Sequence, residues 1–165
     1  MTIALRRRLV ILLAALLVGC GSGHAKQGEG SPEIVVAGAD SSYEVHLPFR
    51  WVGRYKVDTL STAERGRARP DARVFIYLPA DSTLHTEALL VVAVYDSAAW
   101  SAVRAAGGPP PGDSMLAHAG LVYVVTGPQS NPFAANSPDA FRFNLLQLRP
   151  EELRAVVQLR QPLKR

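Results

Sequence analysis

The hydrophobic pattern predicts strands more clearly than any other element. From Tyr43 to Leu47 apolar and polar residues alternate, which places Tyr43, Val45 and Leu47 on one face of a strand. The segment 88–95 is an unbroken apolar run, typical of the most buried strand of a sheet. Three further strands are predicted at 55–63, 73–78 and 121–126. The chain therefore supplies about five strands.

A short helix is predicted in the middle of the chain, and helical structure again near its end. Asp96 or Ser97 can cap the middle helix, and Gly107 follows its last turn. The sequence Ser-Pro-Asp at 137–139 is a typical helix start, with a cap, a proline at the first helical position and an acid in the first turn.

The C-terminal helices are expected to pack on the sheet through apolar faces. Phe141, Leu145 and Leu148 would share one face, and a second helical pattern runs from Pro150 to Val157. Strands precede the final helices without regular strand–helix alternation, so the predicted fold class is α+β. We expect an antiparallel sheet of about five strands, with the short middle helix and the C-terminal helices packed on it.

Residues 1–20 have the organisation of an export signal. Arg6, Arg7 and Arg8 form a charged start, and the ten residues 9–18 are all Ala, Leu, Ile or Val. Ten residues are too few to span a bilayer of ~30 Å, which needs roughly 20 residues of helix, but they suit the apolar region of a signal peptide. A buried helix is the alternative, and the flanking arginines and glycines argue against it.

A segment rich in Gly and Ser follows the signal. Residues 21–32 include four glycines, two serines and no large apolar side chain. This composition predicts a flexible tether over 21–40 with a root-mean-square reach of roughly 25 Å. His24 lies in the tether and is expected to be solvated and idle. The remaining residues, 41–165, are predicted to form a single, monomeric domain.

Charge and cysteine content exclude several classes of function. The chain carries a net charge of +4, but three of its 18 basic residues belong to the signal, which leaves 15 against 14 acidic residues. A mature protein near +1 lacks the concentrated basic face expected of a nucleic-acid-binding domain. Cys20 is the only cysteine, so an intrachain disulfide, a cysteine nucleophile in the domain and a Cys-based zinc site are excluded.

The junction Leu17-Val18-Gly19-Cys20 resembles the bacterial lipobox. The resemblance implies cleavage before Cys20, diacylglycerol on its thiol and further acylation by chains such as palmitate. Two or three acyl chains would anchor the protein to a membrane outside the cytoplasm, because each buried CH₂ contributes about 0.8 kcal/mol. Gly21 stands where an aspartate retains many lipoproteins at the inner membrane. In a host with two membranes, the periplasmic face of the outer membrane is therefore favoured.

The segment Leu-Pro-Phe-Arg-Trp-Val-Gly-Arg-Tyr at 47–55 resembles a motif of uncharacterised secreted and lipid-anchored bacterial proteins, in which a strand ends in Pro before Trp-x-Gly-(Lys or Arg)-Tyr. Similar features follow at 91–100, at Gly120 and in Asn-Pro-Phe at 131–133. The strand-Pro-x-x-Trp opening and the C-terminal helix are also similar in topology to the sandwich of the PsbP family. That resemblance implies an accessory or binding role and no particular functional residue.

Trp51 and Tyr55 have a structural interpretation that we prefer to a ligand-stacking role. A large aromatic residue after a strand end can cover one end of a sheet core, while Gly53 permits a turn.

No catalytic or metal-binding motif is found. The other histidines are His46, which alternates with apolar residues on a strand, His85 and His118, and none lies at metal-ligand spacing from another. His85-Thr86-Glu87 has the His-x-Glu form of zinc deaminases, but the Pro-Cys-x-x-Cys that they require is absent. No Gly-x-Ser-x-Gly or Ser-x-x-Lys occurs, although a triad assembled from distant residues stays open. No metal and no cofactor are expected.

Two surface features remain as candidates for binding. Seven basic residues stand against three acidic ones between 50 and 73: Arg50, Arg54, Lys56, Arg65, Arg67, Arg69 and Arg73 against Asp58, Glu64 and Asp71. This cluster could contact anionic lipid or cell-wall polymers, although a solvated loop is the preferred interpretation. The long loops 105–120 and 127–138 are the first places to expect a binding surface.

The sequence thus predicts a lipid-anchored protein of the cell envelope, tethered through Cys20. A non-catalytic binding or accessory domain, acting on an envelope protein or a small ligand, is the leading hypothesis. An envelope hydrolase with a dispersed catalytic site is the alternative.

Overall fold

The computed structural model describes residues 33–38, 42–108 and 112–160. The predicted signal, Cys20, His24 and the tether up to residue 32 lie outside the described residues.

The described chain contains strands and short helices in a mixed order. The strands are β1 (Glu33–Ala37), β2 (Tyr43–Pro48), β3 (Tyr55–Thr59), β4 (Arg73–Tyr77), β5 (Ala88–Asp96), β6 (Ser114–His118), β7 (Leu121–Thr126) and β8 (Val157–Leu159). The helices are α1 (Thr62–Arg65), α2 (Ser97–Ala105), α3 (Pro138–Leu146) and α4 (Pro150–Ala155), with a 3₁₀ turn at Phe49–Trp51.

The strands form two antiparallel sheets. The larger has five strands in the order β3-β4-β5-β7-β6, and the smaller has three in the order β1-β2-β8. The predicted α+β class with an antiparallel sheet of about five strands is therefore confirmed, although the strand predicted at 43–47, β2, lies in the smaller sheet. The predicted middle helix is α2, and the predicted helix start at 137–139 is the start of α3, where the Ser137 hydroxyl accepts the Ala140 N–H.

The main core lies between the two sheets and α3. Its fully buried side chains include Tyr43, Val45 and Leu47 of β2, Phe75 and Tyr77 of β4, Leu90, Val92 and Val94 of β5, and Phe143 of α3. Tyr43 and Tyr123 meet edge-on with ring centroids 5.3 Å apart and so join the small sheet to the large one. A second, smaller cluster of Ala68, Ala72 and Ala93 covers the opposite face of β5. Burial on both faces explains the unbroken apolar run of this strand.

Three strands lie where the sequence pattern indicated other structure. β1 occupies 33–37, inside the range 21–40 assigned to the tether, so the domain begins by Glu33 and the boundary at 41 is wrong. β6 lies inside the predicted loop 105–120, and β8 replaces the end of the helical pattern that ran to Val157. β1 and β8 are short and are formed by pairing with β2, whose sequence is far from β8. Local periodicity does not report such pairing.

The hairpin between β6 and β7 shows why the loop prediction failed. His118 pairs with Leu121, and the two residues between them, Ala119 and Gly120, have φ values of 48° and 80°. Two successive positive φ values are the geometry of a type I′ turn, for which Gly120 is well suited and Ala119 is an unusual occupant. Because Ala119-Gly120 is a weak turn signal, the sequence pattern did not predict this tight hairpin.

The buried face of α3 differs from the predicted one. Phe143 and Leu146 are buried, whereas Phe141 and Leu145 of the predicted face are exposed. The third residue of that face, Leu148, is buried but lies beyond the end of α3. Both sets have helical spacing, so periodicity alone does not select between them. The rotation of the helix follows from Phe143, whose ring contacts those of Tyr77 and Phe133 at centroid distances of 5.5 and 5.4 Å.

A candidate ligand-binding groove

An open groove lies at one end of the five-stranded sheet. β4 ends and β5 begins at this edge, and β7 ends there too, since the three strands are antiparallel neighbours. The segments 78–87 and 127–137, which follow β4 and β7, form its walls with the first turns of α3. Its volume is about 760 Å³, and it is lined by Ala80, Asp81, Leu84, His85, Pro132, Phe133, Ala134, Ser137, Pro138, Asp139 and Arg142. The predicted binding loop 127–138 contributes most of one wall.

Buried Asp139 holds the groove together. Its carboxylate accepts the Tyr77 hydroxyl at 2.6 Å and the Ala80 N–H at 2.9 Å, which ties α3 to the end of β4 and to the segment that follows it. The hydrogen bond from Tyr77 lowers the pKa of Asp139. Burial, assisted by Asp139, raises the pKa of Tyr77 to about 12. At neutral pH the pair is therefore a carboxylate and a neutral phenol, and both groups are engaged in structural bonds.

The motif Asn-Pro-Phe at 131–133 shapes the second wall. The Asn131 side chain donates to the Ala140 carbonyl at 2.7 Å and accepts the Phe133 N–H at 3.0 Å. These bonds fix the loop against α3 and turn the Phe133 ring toward Tyr77, at a centroid distance of 5.3 Å. The other side of Phe133 carries the His85 ring, which stacks on it at 6.3 Å and an angle of 20°. The groove thus has an aromatic wall.

Arg142 is the polar group of the groove that is available to a ligand. Its guanidinium makes no hydrogen bond or ion pair with any residue that the structure describes. The side chain lies near enough to Tyr77 and Asp139 to influence their pKa values electrostatically. By contrast, the His85 Nε2 pairs with Glu87 at 3.1 Å, and the Asp81 carboxylate accepts the Thr83 N–H and hydroxyl. An apolar surface beside a free cation suits an apolar ligand with an anionic group.

The groove contains the residue types of a hydrolytic triad, but they are not arranged as one. The Ser137 hydroxyl accepts the Ala140 N–H at 3.0 Å as a helix cap, and Asp139 bonds to Tyr77. His85 bonds to a carboxylate outside the groove lining, Glu87. A triad requires one histidine between the acid and the nucleophile, and these contacts join each group to a different partner instead.

His46 lies in a separate ion network on the outer side of the small sheet. Its Nδ1 is 2.8 Å from Glu33 of β1 and its Nε2 is 3.3 Å from Glu44, which also accepts the Arg160 Nε–H at 2.6 Å. The side chain of His46 therefore faces the neighbouring strand β1. Within the described parts of the chain, no group of three or more His, Cys, Asp or Glu side chains is placed to hold a metal ion.

The other sequence candidates are dispersed over the domain. Trp51 and Gly53 have the structural roles assigned to them, since Trp51 is fully buried and Gly53 turns the chain with a φ of 68°. Two members of the basic cluster are held by acids: Arg50 pairs with Glu152, and Arg69 pairs with Asp71 and Asp96.

Sequence reasoning missed the wall 78–87 of the groove, together with the contributions of Tyr77 and Arg142. Only the breaks in pattern between two predicted strands marked this wall as a loop.

Over the residues described, no helix is both long and apolar enough to cross a bilayer. Comparisons of the chain with protein-family models, with curated proteins and with solved structures found no match.

Proposed function

We propose that the protein is a lipid-anchored component of the cell envelope whose domain binds a ligand or partner in the groove and does not catalyse a reaction. The observation that carries the proposal is the apolar groove with its free Arg142 guanidinium. Asp139 and the Ser137 hydroxyl are engaged in bonds that hold α3, and His85 pairs at the surface with Glu87, so the three groups are not joined as a catalytic set, which favours binding over catalysis. The lipobox-like junction at Cys20 supports the anchor and an extracytoplasmic location.

The lining of the groove indicates the chemistry of its ligand. Leu84, Phe133 and the prolines offer apolar contact, and Arg142 can pair with a carboxylate or a phosphate. A small amphiphilic ligand or an apolar segment of an envelope protein with an acidic residue would both satisfy these groups. The membrane is a partner through the acyl chains on Cys20.

The anchor is tested by mass spectrometry of the mature N-terminus. We expect cleavage before Cys20 and a mass increase that corresponds to two or three acyl chains. Cys20→Ser should remove the chains and release or mislocalise the protein. An uncleaved, unmodified N-terminus would contradict the lipoprotein assignment.

The groove is tested by site-specific photocrosslinking in native envelopes. A crosslinking residue at Leu84 should yield a discrete adduct, and one at Leu116 of β6 should not, although the two side chains are equally exposed at 37% and 36%. Arg142→Gln should weaken the Leu84 adduct. Equal labelling from both positions would reject the groove as the binding surface.

The hydrolase alternative makes a different prediction in the same envelopes. A fluorophosphonate probe that reacts with activated serines should leave the protein unlabelled. Labelling that is lost in Ser137→Ala or His85→Ala would favour the hydrolase.

A further inference from the structure

Two touching segments of the domain carry large apolar side chains that are more than half exposed. They are Phe49 (58%) and Val52 (52%) in and after the 3₁₀ turn, and Phe141 (67%) and Leu145 (55%) on α3. We call these four side chains the apolar face. Large apolar side chains that are exposed close together are unfavourable in water, and such a patch marks a contact with a partner or a membrane.

The two segments are held together by hydrogen bonds. The Arg50 Nε–H donates to the Leu145 carbonyl at 2.9 Å, and the Trp51 Nε1–H donates to the Leu146 carbonyl at 2.8 Å. The 3₁₀ turn is therefore fixed against the last turn of α3, and Phe141 lies one helical turn earlier. The apolar face is a fixed part of the fold.

Free cations accompany the apolar face. Arg54 follows Val52 by two residues, and Arg142 follows Phe141 directly on α3. Neither guanidinium makes a hydrogen bond or an ion pair with a residue in the described ranges. Both influence the pKa of Tyr77 electrostatically, which places them around the same part of the molecule. Two acids lie near the turn: Glu152 is held by Arg50 at 2.7 Å, and Glu33, opposite Pro48, lies 2.8 Å from His46. The face therefore favours anionic surroundings.

The chain enters the domain beside this face. β1 begins at Glu33, whose register partner is Pro48, the residue before Phe49. Twelve residues, 21–32, separate Glu33 from Cys20, and a Gly-rich chain of this length has a root-mean-square reach of about 19 Å. A folded domain of this size has a radius of gyration of about 14 Å, so its diameter exceeds that reach. An anchor at Cys20 would bring the surface near Glu33 to the bilayer far more often than the opposite side.

We propose that the apolar face inserts into the interface of the anchoring membrane. Phe49, Val52, Phe141 and Leu145 would lie among the glycerol and upper acyl groups, and Arg54 and Arg142 would contact anionic phosphates. The proposal rests on the lipid anchor of the proposed function, and it adds a second, protein-borne contact with the bilayer. Because Arg142 also borders the groove, this orientation places the groove at the level of the headgroups.

The test uses the mature, acylated protein reconstituted into vesicles of phosphatidylethanolamine and phosphatidylglycerol. A fluorophore sensitive to polarity is attached to Val52→Cys or, as a control, to Met115→Cys on β6, at the sheet edge opposite β3. The two positions are matched in exposure at 52% and 51%, and acylation of Cys20 leaves the new thiol as the only one. Leu145→Cys provides a second position on the apolar face.

We expect the probes at 52 and 145 to shift to the blue and to be quenched by nitroxide-labelled lipids, and the probe at 115 to stay in water. Replacing phosphatidylglycerol with a neutral lipid should weaken the shift. If the protein floats with the vesicles but the three probes respond alike, the proposed insertion is wrong and the lipid anchor stands. If the mature protein carries no acyl chains and does not float, both the insertion and the lipid anchor are wrong. Shielding of position 52 in native envelopes but not in vesicles would assign the face to a protein partner and reject the lipid contact.

Discussion

At the scale of single residues, Trp51 joins three parts of the core. Its ring meets Tyr55 and Phe75 edge-on at centroid distances of 5.6 and 6.3 Å, and its Nε1–H bonds to the Leu146 carbonyl at the end of α3. The residue is fully buried, so its nitrogen needs this partner. A side chain that is enclosed in this way is not available to stack on a ligand.

Trp51→Ala should lower the free energy of unfolding by about 3–5 kcal/mol, because it removes a large buried ring and leaves a cavity. Trp100→Ala is a suitable control, since Trp100 of α2 is only partly buried and packs beside Tyr95. Urea unfolding followed by circular dichroism measures both. If Trp51→Ala unfolds at the urea concentration of the parent, the core assignment of Trp51 is wrong.

At the scale of elements, α3 carries two kinds of surface. One side packs Phe143 between Tyr77 and Phe133, and the other presents Phe141 to the exterior. Two phenylalanines two residues apart on one helix therefore differ in burial.

Phe143→Ala should destabilise the domain by about 3–5 kcal/mol, whereas Phe141→Ala should stay within roughly 0.5 kcal/mol of the parent. Thermal melts of the two variants compare them directly. A larger loss for Phe141→Ala would mean that the helix is rotated from the orientation described.

A second element-scale feature is the connection between the 3₁₀ turn and α4. Both Arg50 terminal nitrogens bond to the Glu152 carboxylate, at 2.7 and 2.8 Å. This carboxylate also accepts the Arg149 N–H at the start of α4. The hydrogen bond from Arg50 lowers the pKa of Glu152 to about 2.

Because the pKa of Glu152 is lower in the folded state than in the unfolded chain, its ionised carboxylate stabilises the fold at pH values above about 4.5. This stabilisation is lost as the pH falls from about 4.5 toward 2. Glu152→Gln should therefore lower stability at pH 7 and reduce the further loss between pH 4.5 and 2.5. Glu151→Gln, a change at an exposed neighbour, should retain the acid dependence of the parent. Urea melts across this pH range provide the measurement, and parallel curves for Glu152→Gln and the parent would contradict the assignment.

At the scale of the whole molecule, residues near both ends of the described chain complete the small sheet. β1 and β8 flank β2, and His46 bonds across to Glu33 while Arg160 reaches Glu44. Closure of this sheet covers one side of the core. The domain therefore depends on residues that the sequence pattern assigned to the tether.

Deleting residues 1–32 should leave a domain that unfolds cooperatively, with a mixed α and β circular dichroism spectrum. Deleting 1–41 removes β1 with the partly buried Ile34 and Val36, and should cost roughly 2 kcal/mol or more. A loss of this size lowers the melting temperature by about 5–10 °C. Equal melting temperatures would show that β1 adds nothing to stability.

The sequence by itself determined the elements whose signals are local. The alternation through Tyr43 and Leu47, the apolar run at 88–95 and the capped start at 137–139 each depend on neighbouring residues, and each gives the element that was predicted. The α+β class follows from their order. The export signal and the lipid anchor at Cys20 are likewise local in sequence and stay predictions.

Only the tertiary structure decided which surfaces meet. The rotation of α3 and the wall of the groove depend on Tyr77 and Asp139, which are 62 residues apart, and the position of the 3₁₀ turn depends on a bond between Trp51 and Leu146 across 95 residues. A helix with apolar residues on two sides satisfies the same periodicity in either orientation. The partners that it meets in the folded core select one side, and that choice leaves Phe141 and Leu145 exposed.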